Sequence, residues 1–539
     1  MHLMLAWLGR APGVVTRQDD ANYLLLGEAL RSFEYRDIFL VEAPVHRKYP
    51  PGYPALLAVL AVVPGEPADV AIATNVLLST ATLALAYGLF RPVFGPAVAL
   101  AGLAVSAANL QVINYAGLAY SEALFAFLVL GALLVFTRAR SPWGAVLAGL
   151  LAIAAALTRP VGVTLVLALA LAWVIRQYAS AASRPPEEAR APRTGPFGIR
   201  RPIVVGLLFA AVITVTVGAW LAFSLSDPTP HPGWSYAADF AGGSPSNGLV
   251  GRLARRVVTN LPVYVGSFLP SMLPIPTNAG TLLDNLVGLG IIVVGLGAGA
   301  WAMAKAGLVA VPIYLAGYLA LLAVWPYQEI RFLVPLIPLI IPLTLGGIRR
   351  AAGRWGDRIA AGVFTTVTVL LLAFALLQAW WFVDRYGACT RGSDGLPTGA
   401  CLTADQASFF GAVAWIREAT PDDAVFLSAK PEPLFYYTRR RSVDLRPLVS
   451  DRTEPWPYLE ARGVSWILMG GLKSVERNEF PEWLEPHCRR LAVARVFPPN
   501  TYLLRVRPDS AAAGQDACGA FADFRAAHER RRGEAQVPR

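Results

Sequence analysis

Long apolar stretches recur along most of this chain, and they restrict its fold more than any other feature. Each is long enough, or nearly so, to cross about 30 Å of hydrocarbon as a helix. Ten such stretches lie at about residues 68–90, 96–113, 118–137, 143–157, 160–176, 202–224, 282–304, 307–325, 331–347 and 359–383. The fourth and fifth could instead form one bent unit around Arg159-Pro160, because proline interrupts a helix. The pattern predicts an α-helical polytopic membrane protein with about ten transmembrane helices.

The composition agrees with a membrane protein and argues against a nucleic-acid-binding one. Of the 539 residues, 55% are hydrophobic and only 15% are charged, and the mean hydropathy is +0.48. Much of the net charge of +11 lies in short loops between apolar stretches. Because lysine and arginine concentrate in cytoplasmic loops, we interpret this charge as a topology signal.

The basic residues fall in alternate loops, which predicts the orientation of the chain. The loops predicted to be cytoplasmic carry Arg91, Arg138, Arg140, the basic residues of 176–201, Lys305 and those of 349–358. The segments predicted to be extracytoplasmic are Asp19-Asp20, 109–122, Arg159, 225–281, 327–331 and everything after Asp384. The loop at about 177–201 is rich in proline, arginine, alanine and serine, so we expect a flexible connector.

Residues 384–539 are predicted to form a separate, exported domain. Ala404 to Ala419 has the pattern of an amphipathic helix, and short apolar strands and helices then alternate, which predicts a small α/β fold. The charged end from Glu529 is expected to be disordered. The four cysteines all lie in this tail, so we expect disulfides. The simplest pairing is Cys389–Cys401 and Cys488–Cys518, and four unpaired thiols are the alternative.

A polar loop at about residues 10–66 stands ahead of the predicted spans. Asp19-Asp20-x-x-Tyr23 begins a helical stretch, and His46-Arg47-Lys48-Tyr49-Pro50-Pro51-Gly52-Tyr53-Pro54 follows it. Carboxylates, cations and a proline-rich turn in one loop at a membrane surface suggest chemistry on a charged lipid. The short apolar start at Leu3 to Leu8 is typical of the final turns of a spanning helix whose beginning is missing.

This loop resembles the first external loop of the GT-C glycosyltransferases. More narrowly, the chain is similar to bacterial polyprenyl-phosphate-sugar enzymes related to protein O-mannosyltransferases and lipid A aminoarabinose transferase. Further matches are Ser121-Glu122, Leu157-Thr158-Arg159-Pro160 and Arg331-Phe332-Leu333-Val334-Pro335-Leu336-Ile337-Pro338. One departure is Asp20, where these families usually have glutamate. The resemblance implies a GT-C transmembrane module over 1–383, with the family's first helix truncated, and an extracytoplasmic α/β domain.

The resemblance also implies a reaction. A sugar would move from a polyprenyl phosphate to a hydroxyl of a lipid, glycan or protein acceptor, on the outer face of the plasma (inner) membrane, during cell-envelope glycan biosynthesis. Asp19 is then the candidate general base, with Asp20 as the second catalytic candidate. Lys48, Arg331 and Arg159 are expected to bind the donor phosphate, and the residues expected to line the cavity are Tyr53, Tyr120, Glu122 and Asn114. One base opposite a phosphate leaving group implies inversion at the anomeric carbon.

Each candidate also has a purely structural interpretation. The two aspartates could cap a helix, Lys48 could anchor at lipid headgroups, and His46 is expected to be a solvated loop residue. Arg159 could pair with Glu122, and Arg331 with Glu329. No metal motif is present, although a divalent cation held by Asp19, Asp20 and Glu122 stays open. The alternative functions are a transporter or flippase for lipid-linked saccharides and a non-catalytic scaffold.

Overall fold

The structure is a computed structural model that describes residues 1–14, 19–139, 141–182, 217–226, 235–241, 248–274, 282–387, 389–450, 453–507 and 517–535. Most of the predicted span at 202–224 and of the connector at 177–201 lies outside the described residues, so those two predictions stay untested.

The membrane part is a helical bundle. Its helices are α1 (His2–Leu8), α2 (Asp19–Leu30), α3 (Gly52–Leu60), α4 (Pro67–Ala108), α5 (Leu110–Ala116), α6 (Glu122–Arg138), α7 (Pro142–Thr158), α8 (Val163–Ala182), α9 (217–225), α10 (Tyr236–Ala241), α11 (Leu249–Val263), α12 (Leu282–Lys305), α13 (Ala310–Val324), α14 (Ile337–Ala352) and α15 (Asp357–Gly387). Within the described ranges, five helical segments are long and apolar enough to cross a membrane: Pro67–Ala108, Pro160–Tyr178, Gly288–Lys305, Ile330–Trp355 and Asp357–Gly387. The predicted helical membrane fold is confirmed, while the number of ten spans stays a prediction.

Helix α4 is in fact two helices that fold back on each other at Gly95. This glycine has φ 81° and ψ 168°, a conformation that side chains disfavour, and Pro96 follows it. The His2 ring bonds both the Ser79 hydroxyl, at 2.9 Å, and the Ala107 carbonyl, at 2.9 Å. In one continuous helix those two residues would lie about 42 Å apart. The tight turn therefore agrees with two predicted stretches, 68–90 and 96–113.

Arg159 separates two helices and does not bend a single one. Helix α7 ends at Thr158, Arg159 is extended at φ −146° and ψ 136°, and a 3-10 turn at Pro160–Gly162 leads into α8. The proline and the extended residue together end α7 and place the Arg159 guanidinium at the turn.

Helices α12 and α14 are in contact through their backbones. A Cβ atom added to Gly347 would collide with the Gly295 carbonyl oxygen, and one added to Gly299 would collide with the Leu343 carbonyl. Such small-residue contacts allow helices to approach closely in a bilayer. Helix α14 continues from a 3-10 turn, Ile330–Leu336, which carries Arg331.

The C-terminal domain contains a four-stranded sheet in the order β3-β4-β6-β5. Its strands are β3 (Val425–Ser428), β4 (Val464–Met469), β5 (Leu491–Phe497) and β6 (Thr501–Val506), and a small hairpin, β1 (Thr390–Arg391) with β2 (Pro397–Thr398), precedes them. Strands β3 and β4 are parallel, and the other pairs are antiparallel. The helices are α16 (Ala404–Ala419), α17 (Pro431–Thr438), α18 (Arg446–Ser450), α19 (Pro455–Ala461), α20 (Ser474–Leu484) and α21 (Cys518–Ala535). The predicted α/β character of this tail agrees with the structure.

One expectation for the tail is wrong and another agrees with the structure. The charged end is helical as far as Ala535 and not disordered from Glu529, because α21 continues from residues that pack in the core, Phe521 and Phe524. The disulfides are Cys389–Cys401, with Cα atoms 5.5 Å apart, and Cys488–Cys518, with Cα atoms 4.8 Å apart. This is the local pairing that the sequence favoured.

The loop at residues 10–66 adds to the edge of the tail's sheet. Ser442 pairs with Phe426 of β3 on one side and with Leu40 on the other. The Val41 N–H donates to the Ser442 carbonyl at 3.0 Å, and the Ser442 N–H donates to the Phe39 carbonyl at 3.0 Å. The tail is therefore joined through backbone hydrogen bonds to the loop that carries the predicted catalytic residues.

Candidate active site

A small cavity lies where the loop at residues 10–66 meets the ends of the helices. Gly52 lets the Pro50-Pro51-Gly52 turn lie against the Leu157–Thr158 backbone, since an added Cβ would come within 2.7 Å of the Leu157 carbonyl oxygen. Two sequence motifs thereby form one wall. The cavity is lined by Tyr23, Tyr49, Pro50, Thr158, Arg159, Pro160, Val161, Tyr236, Tyr318, Leu322, Trp325, Arg331 and Phe332.

Asp19 lies at the start of α2, and its two carboxylate oxygens have different partners. The Tyr49 hydroxyl donates to Oδ1 at 2.8 Å, and Arg331 Nη1 donates to Oδ2. Burial raises the pKa of Asp19, but Arg331, Tyr49 and the nearby Lys48 outweigh burial and hold the pKa below its usual range. The carboxylate is therefore ionised at neutral pH.

The Arg331 guanidinium contacts two carboxylates and two aromatic rings. Besides Asp19, its guanidinium pairs with Glu329, with Nε 2.5 Å from Oε2. It also lies 5.8 Å from the centre of the Tyr120 ring and 5.5 Å from that of Phe332. The structural pair considered for Arg331, with Glu329, is therefore present. A second ion pair joins the same guanidinium to Asp19.

Lys48 lies beside the cavity on the proline-rich turn. Its Nζ is 3.5 Å from Asp239 Oδ2 on α10 and 3.4 Å from the Tyr327 hydroxyl. The ammonium also lies 5.7 Å from the ring centre of Tyr236, which lines the cavity. Lys48 is therefore placed by protein contacts at this surface and is not simply extended toward headgroups.

Arg159 lines the cavity and is also the buried partner of Glu122. Its Nη1 lies 2.5 Å from Glu122 Oε1 and donates to the Ser121 hydroxyl at 3.3 Å. The Tyr23 and Ser121 hydroxyls are hydrogen bonded at 3.1 Å. The structural pair considered for Arg159 is present, and it holds the guanidinium at the cavity wall.

The second aspartate is not brought to the cavity. Asp20 is buried, its Oδ1 accepts from the Ala21 N–H at 2.9 Å, and its charge acts on Lys430 of the C-terminal domain. Burial lowers the pKa of Lys430 in that domain to about 8, an effect that the negative charge of Asp20 opposes. A catalytic role for Asp20 therefore gains no support from its position.

The residues predicted to line the cavity lie behind its wall. The Tyr53 hydroxyl accepts from Asn75 Nδ2 at 2.9 Å, and the same amide donates to the Tyr120 carbonyl at 2.8 Å. Glu122 is buried on Arg159, and Asn114 is half-buried on α5. None of Tyr53, Tyr120, Glu122 and Asn114 is among the cavity-lining residues, so they support the site from outside.

A metal ion held by Asp19, Asp20 and Glu122 does not fit the geometry. Asp19 pairs with Arg331, Glu122 pairs with Arg159, and Asp20 lies toward the tail. Over the described ranges, no three His, Cys, Asp or Glu side chains converge.

Several site residues were missed by the sequence analysis. The aromatic rings of Tyr49, Tyr236, Trp325 and Phe332 line the cavity. Tyr49, next to Lys48, and Phe332, next to Arg331, lie within motifs that carry the resemblance, whereas Tyr236 and Trp325 had no sequence signal. The expectation for His46 is wrong, because its side chain is 3% exposed and contacts Asp37 at 2.6 Å. Its two partners, Asp37 and the Tyr49 backbone, lie in the same loop, and nothing in the residue spacing indicates that contact.

Solved structures of two kinds share this architecture. ArnT from Cupriavidus metallidurans bound to undecaprenyl phosphate matches with a TM-score of 0.54 and 14% identity, over 95% of this chain and 98% of that one. Its apo form gives 0.54 and 13%, over 95% and 97%. The oligosaccharyltransferase of Archaeoglobus fulgidus tethered with an acceptor peptide gives 0.50 and 14%, over 87% and 68%.

Neither a protein-family model nor a curated protein matches the chain. The structural match covers the membrane helices and the small C-terminal domain together, because it extends over 95% of this chain. The chain therefore has the fold of the GT-C membrane glycosyltransferases.

Proposed function

We propose that this protein is an integral-membrane glycosyltransferase that moves a sugar from a polyprenyl-phosphate donor to an acceptor hydroxyl, with inversion. The observation that carries the proposal is the position of Asp19. Its carboxylate is bonded to two residues that line the cavity, Tyr49 and Arg331. Two further cations are near: Arg159 lines the same cavity, and Lys48 lies beside it. A base and a set of phosphate-binding cations are the two components that this reaction requires.

The cations suit the departing phosphate. The guanidinium groups of Arg159 and Arg331 can each donate two parallel N–H bonds to phosphate oxygens, and Lys48 supplies a point charge. The remaining lining is largely aromatic and apolar, as in most small-molecule sites. ArnT, which has this fold, was solved with undecaprenyl phosphate bound, which agrees with a lipid-phosphate ligand.

Donor binding would also activate the base. Without phosphate, the ion pair with Arg331 holds the pKa of Asp19 low and makes its carboxylate a weak base. A phosphate on Arg331 would share the guanidinium and add negative charge nearby, and both effects raise the proton affinity of Asp19. The acceptor hydroxyl then loses its proton to Asp19 as its oxygen bonds to the anomeric carbon and the phosphate leaves from the opposite face.

The proposed orientation places this chemistry outside the plasma membrane. The disulfide-containing tail packs on the loop that carries Asp19, so the tail and the cavity lie on the same side. Because disulfides persist in oxidising compartments, that side is the extracytoplasmic one.

The test is turnover of polyprenyl-phosphate-linked hexoses and pentoses by purified protein in detergent or liposomes. We expect Asp19→Asn to lower transfer about 10²- to 10⁴-fold while the affinity for polyprenyl phosphate persists. The matched control is Asp69→Asn, since Asp69 is also paired with an arginine, at 2.9 Å from Arg391, but Arg391 does not line the cavity as Arg331 does. Normal turnover by Asp19→Asn would remove the proposed base, and lipid movement across liposomes without transfer would favour a transporter.

A further inference from the structure

The Tyr49 hydroxyl is the one uncharged group that contacts the Asp19 carboxylate through a side-chain hydrogen bond, at 2.8 Å, in the part of the chain that the structure describes. Asp19 Oδ1 is held by Tyr49, while Oδ2 is paired with Arg331. If phosphate engages Arg331 during the reaction, Tyr49 is the contact that keeps the carboxylate in place. The position of Tyr49 therefore determines the orientation of the Asp19 carboxylate.

Tyr49 is itself held by His46. The Tyr49 N–H donates to His46 Nε2 at 2.9 Å, and the two rings are stacked with centres 5.3 Å apart. Because Nε2 accepts a backbone N–H, the imidazole proton lies on Nδ1, which donates to Asp37 Oδ1 at 2.6 Å. His46 and Asp37 side chains are each 3% exposed, so this orientation is fixed away from water.

The network continues into the C-terminal domain. Arg446 on α18 lies with Nη2 3.5 Å from Asp37 Oδ2, and its Nε donates to Asp444 Oδ1 at 2.8 Å. Burial raises the pKa of Asp37, but His46 and Arg446 outweigh burial and hold it below the usual range. A continuous set of contacts therefore leads from the tail to the candidate base.

Attachment of the tail does not require this buried network. The tail is already joined to the outer loop by backbone hydrogen bonds at Ser442 and by more exposed ion pairs, such as Arg462 with Glu42 and Arg439 with Glu28. Burying charged groups is costly, and here the buried groups lead through Tyr49 to the Asp19 carboxylate.

We infer that Tyr49 is a positioning residue for Asp19, and that Arg446 of the C-terminal domain sets the orientation of Tyr49 through Asp37 and His46. The inference rests on the proposed role of Asp19 as the base. It gives the exported domain a part in the reaction, in addition to any contact with the acceptor.

The first test is the pH dependence of transfer in Tyr49→Phe. The groups that act on Asp19 are Arg331, Lys48 and Tyr49, and only the third is changed. A hydrogen bond to an ionised carboxylate lowers its pKa, so its loss raises the pKa of Asp19. We expect the acid limb of the kcat profile to move up by about 1 pH unit and kcat to fall about 10-fold, while the donor KM stays within about twofold.

The matched control for this variant is Tyr35→Phe. The Tyr35 hydroxyl donates to the Tyr49 carbonyl at 2.7 Å, so this variant loosens the same loop without removing the bond to Asp19. The acid limb of the kcat profile of Tyr35→Phe should stay at the same pH as that of the parent. Equal profiles for the parent and Tyr49→Phe, or the same shift in Tyr35→Phe, would overturn the inference.

The second test compares two tail arginines that both pair with the outer loop. Arg446→Gln should lower kcat about 3- to 10-fold at unchanged donor KM, whereas Arg462→Gln should leave kcat unchanged. Unfolding midpoints of both variants show whether the tail stays attached. Equal kcat for the two variants, with parent-like midpoints, would overturn the role of the tail.

These outcomes are distinct from a failure of the proposed function. That failure would appear in the parent as absence of transfer, or as transfer that survives Asp19→Asn. The positioning inference fails only when transfer requires Asp19 and is indifferent to Tyr49 and Arg446.

Discussion

The guanidinium of Arg331 forms an ion pair with the carboxylate of Asp19, 312 positions away in the chain. Asp19 is the first residue of α2, and Arg331 lies in the 3-10 turn that leads into α14. One contact therefore joins the candidate base to a candidate phosphate ligand. Under the proposed function, the binding of one substrate and the basicity toward the other are coupled through this pair.

The cations at the cavity are expected to differ in importance from their neighbour Arg47. Lys48→Ala and Arg331→Lys should each weaken binding of polyprenyl phosphate about 10- to 100-fold, because a charge-assisted or two-pronged contact is lost. Arg47→Ala should bind like the parent, since its guanidinium donates to the Phe223 carbonyl and the Ser226 hydroxyl, each at 2.7 Å, away from the cavity. Titration with the lipid measures all three. Equal affinities would place the phosphate elsewhere, with Arg159 as the next candidate.

The ion pair between Arg159 and Glu122 is expected to matter for stability. Both residues are buried, so Glu122→Gln leaves a buried guanidinium without its counter-charge and should lower the free energy of unfolding by about 3–5 kcal/mol. Glu329→Gln is the control, because Glu329 is half-exposed and pairs with Arg331 at 2.5 Å. It should cost about 1 kcal/mol or less. Unfolding in mixed micelles measures the free energy of unfolding of both variants. Equal decreases for Glu122→Gln and Glu329→Gln would contradict this expectation.

Asp37 is expected to stabilise the protein only above acidic pH. Its pKa is lower in the folded protein than in the unfolded chain, so its contribution is complete above about pH 4 and is lost as the pH falls through the folded value. The unfolding midpoint of Asp37→Asn should therefore lie well below that of the parent at pH 7, and the difference should shrink as the pH falls below about 4. The exposed Asp423, changed to asparagine, serves as the control. A constant difference between Asp37→Asn and the parent across this range would refute the assignment.

The disulfide Cys488–Cys518 is expected to hold α21 on the tail domain. It closes a loop with a sequence separation of 30, against 12 for Cys389–Cys401. Removing it by paired Cys→Ser changes should lower the free energy of unfolding of the tail by about 3–4 kcal/mol, and removing the shorter loop should cost less. Denaturant unfolding of the full-length protein measures both. A larger decrease in the free energy of unfolding on removing Cys389–Cys401 would show that local packing, and not loop closure, determines how much each disulfide stabilises the tail.

Much of the fold could be predicted because it depends on local patterns. The apolar stretches predicted the membrane helices, and the alternation of short apolar segments predicted the strands and helices of the tail. The helical end of the tail could not be predicted, since the charged residues of α21 are carried by the packing of Phe521 and Phe524. Packing against distant residues leaves no periodic signal in a polar segment.

The site divides in the same way. Charged residues at the outer ends of spans, such as Arg331 and Arg159, stood out because a charge there needs a partner or a task. The predicted lining at Tyr53 and Tyr120 failed because both lie behind the wall, on Asn75, and only three-dimensional contacts reveal which side of a helix faces the cavity. His46 was misjudged for a related reason. Its partner Asp37 lies nine positions away in the same loop, and Asp37 in turn pairs with Arg446 of the tail, 409 positions further along the chain.

The glycine contact between α12 and α14 has a consequence for how this protein can vary. Where two helices meet through backbone atoms at Gly295, Gly299 and Gly347, few side chains are needed to define their separation. Most outward positions of both helices are then free to change with the surrounding lipid, while the separation of α12 and α14 stays constant. A single methyl group added at Gly347 would instead push α14 away from α12, because it would collide with the Gly295 carbonyl oxygen.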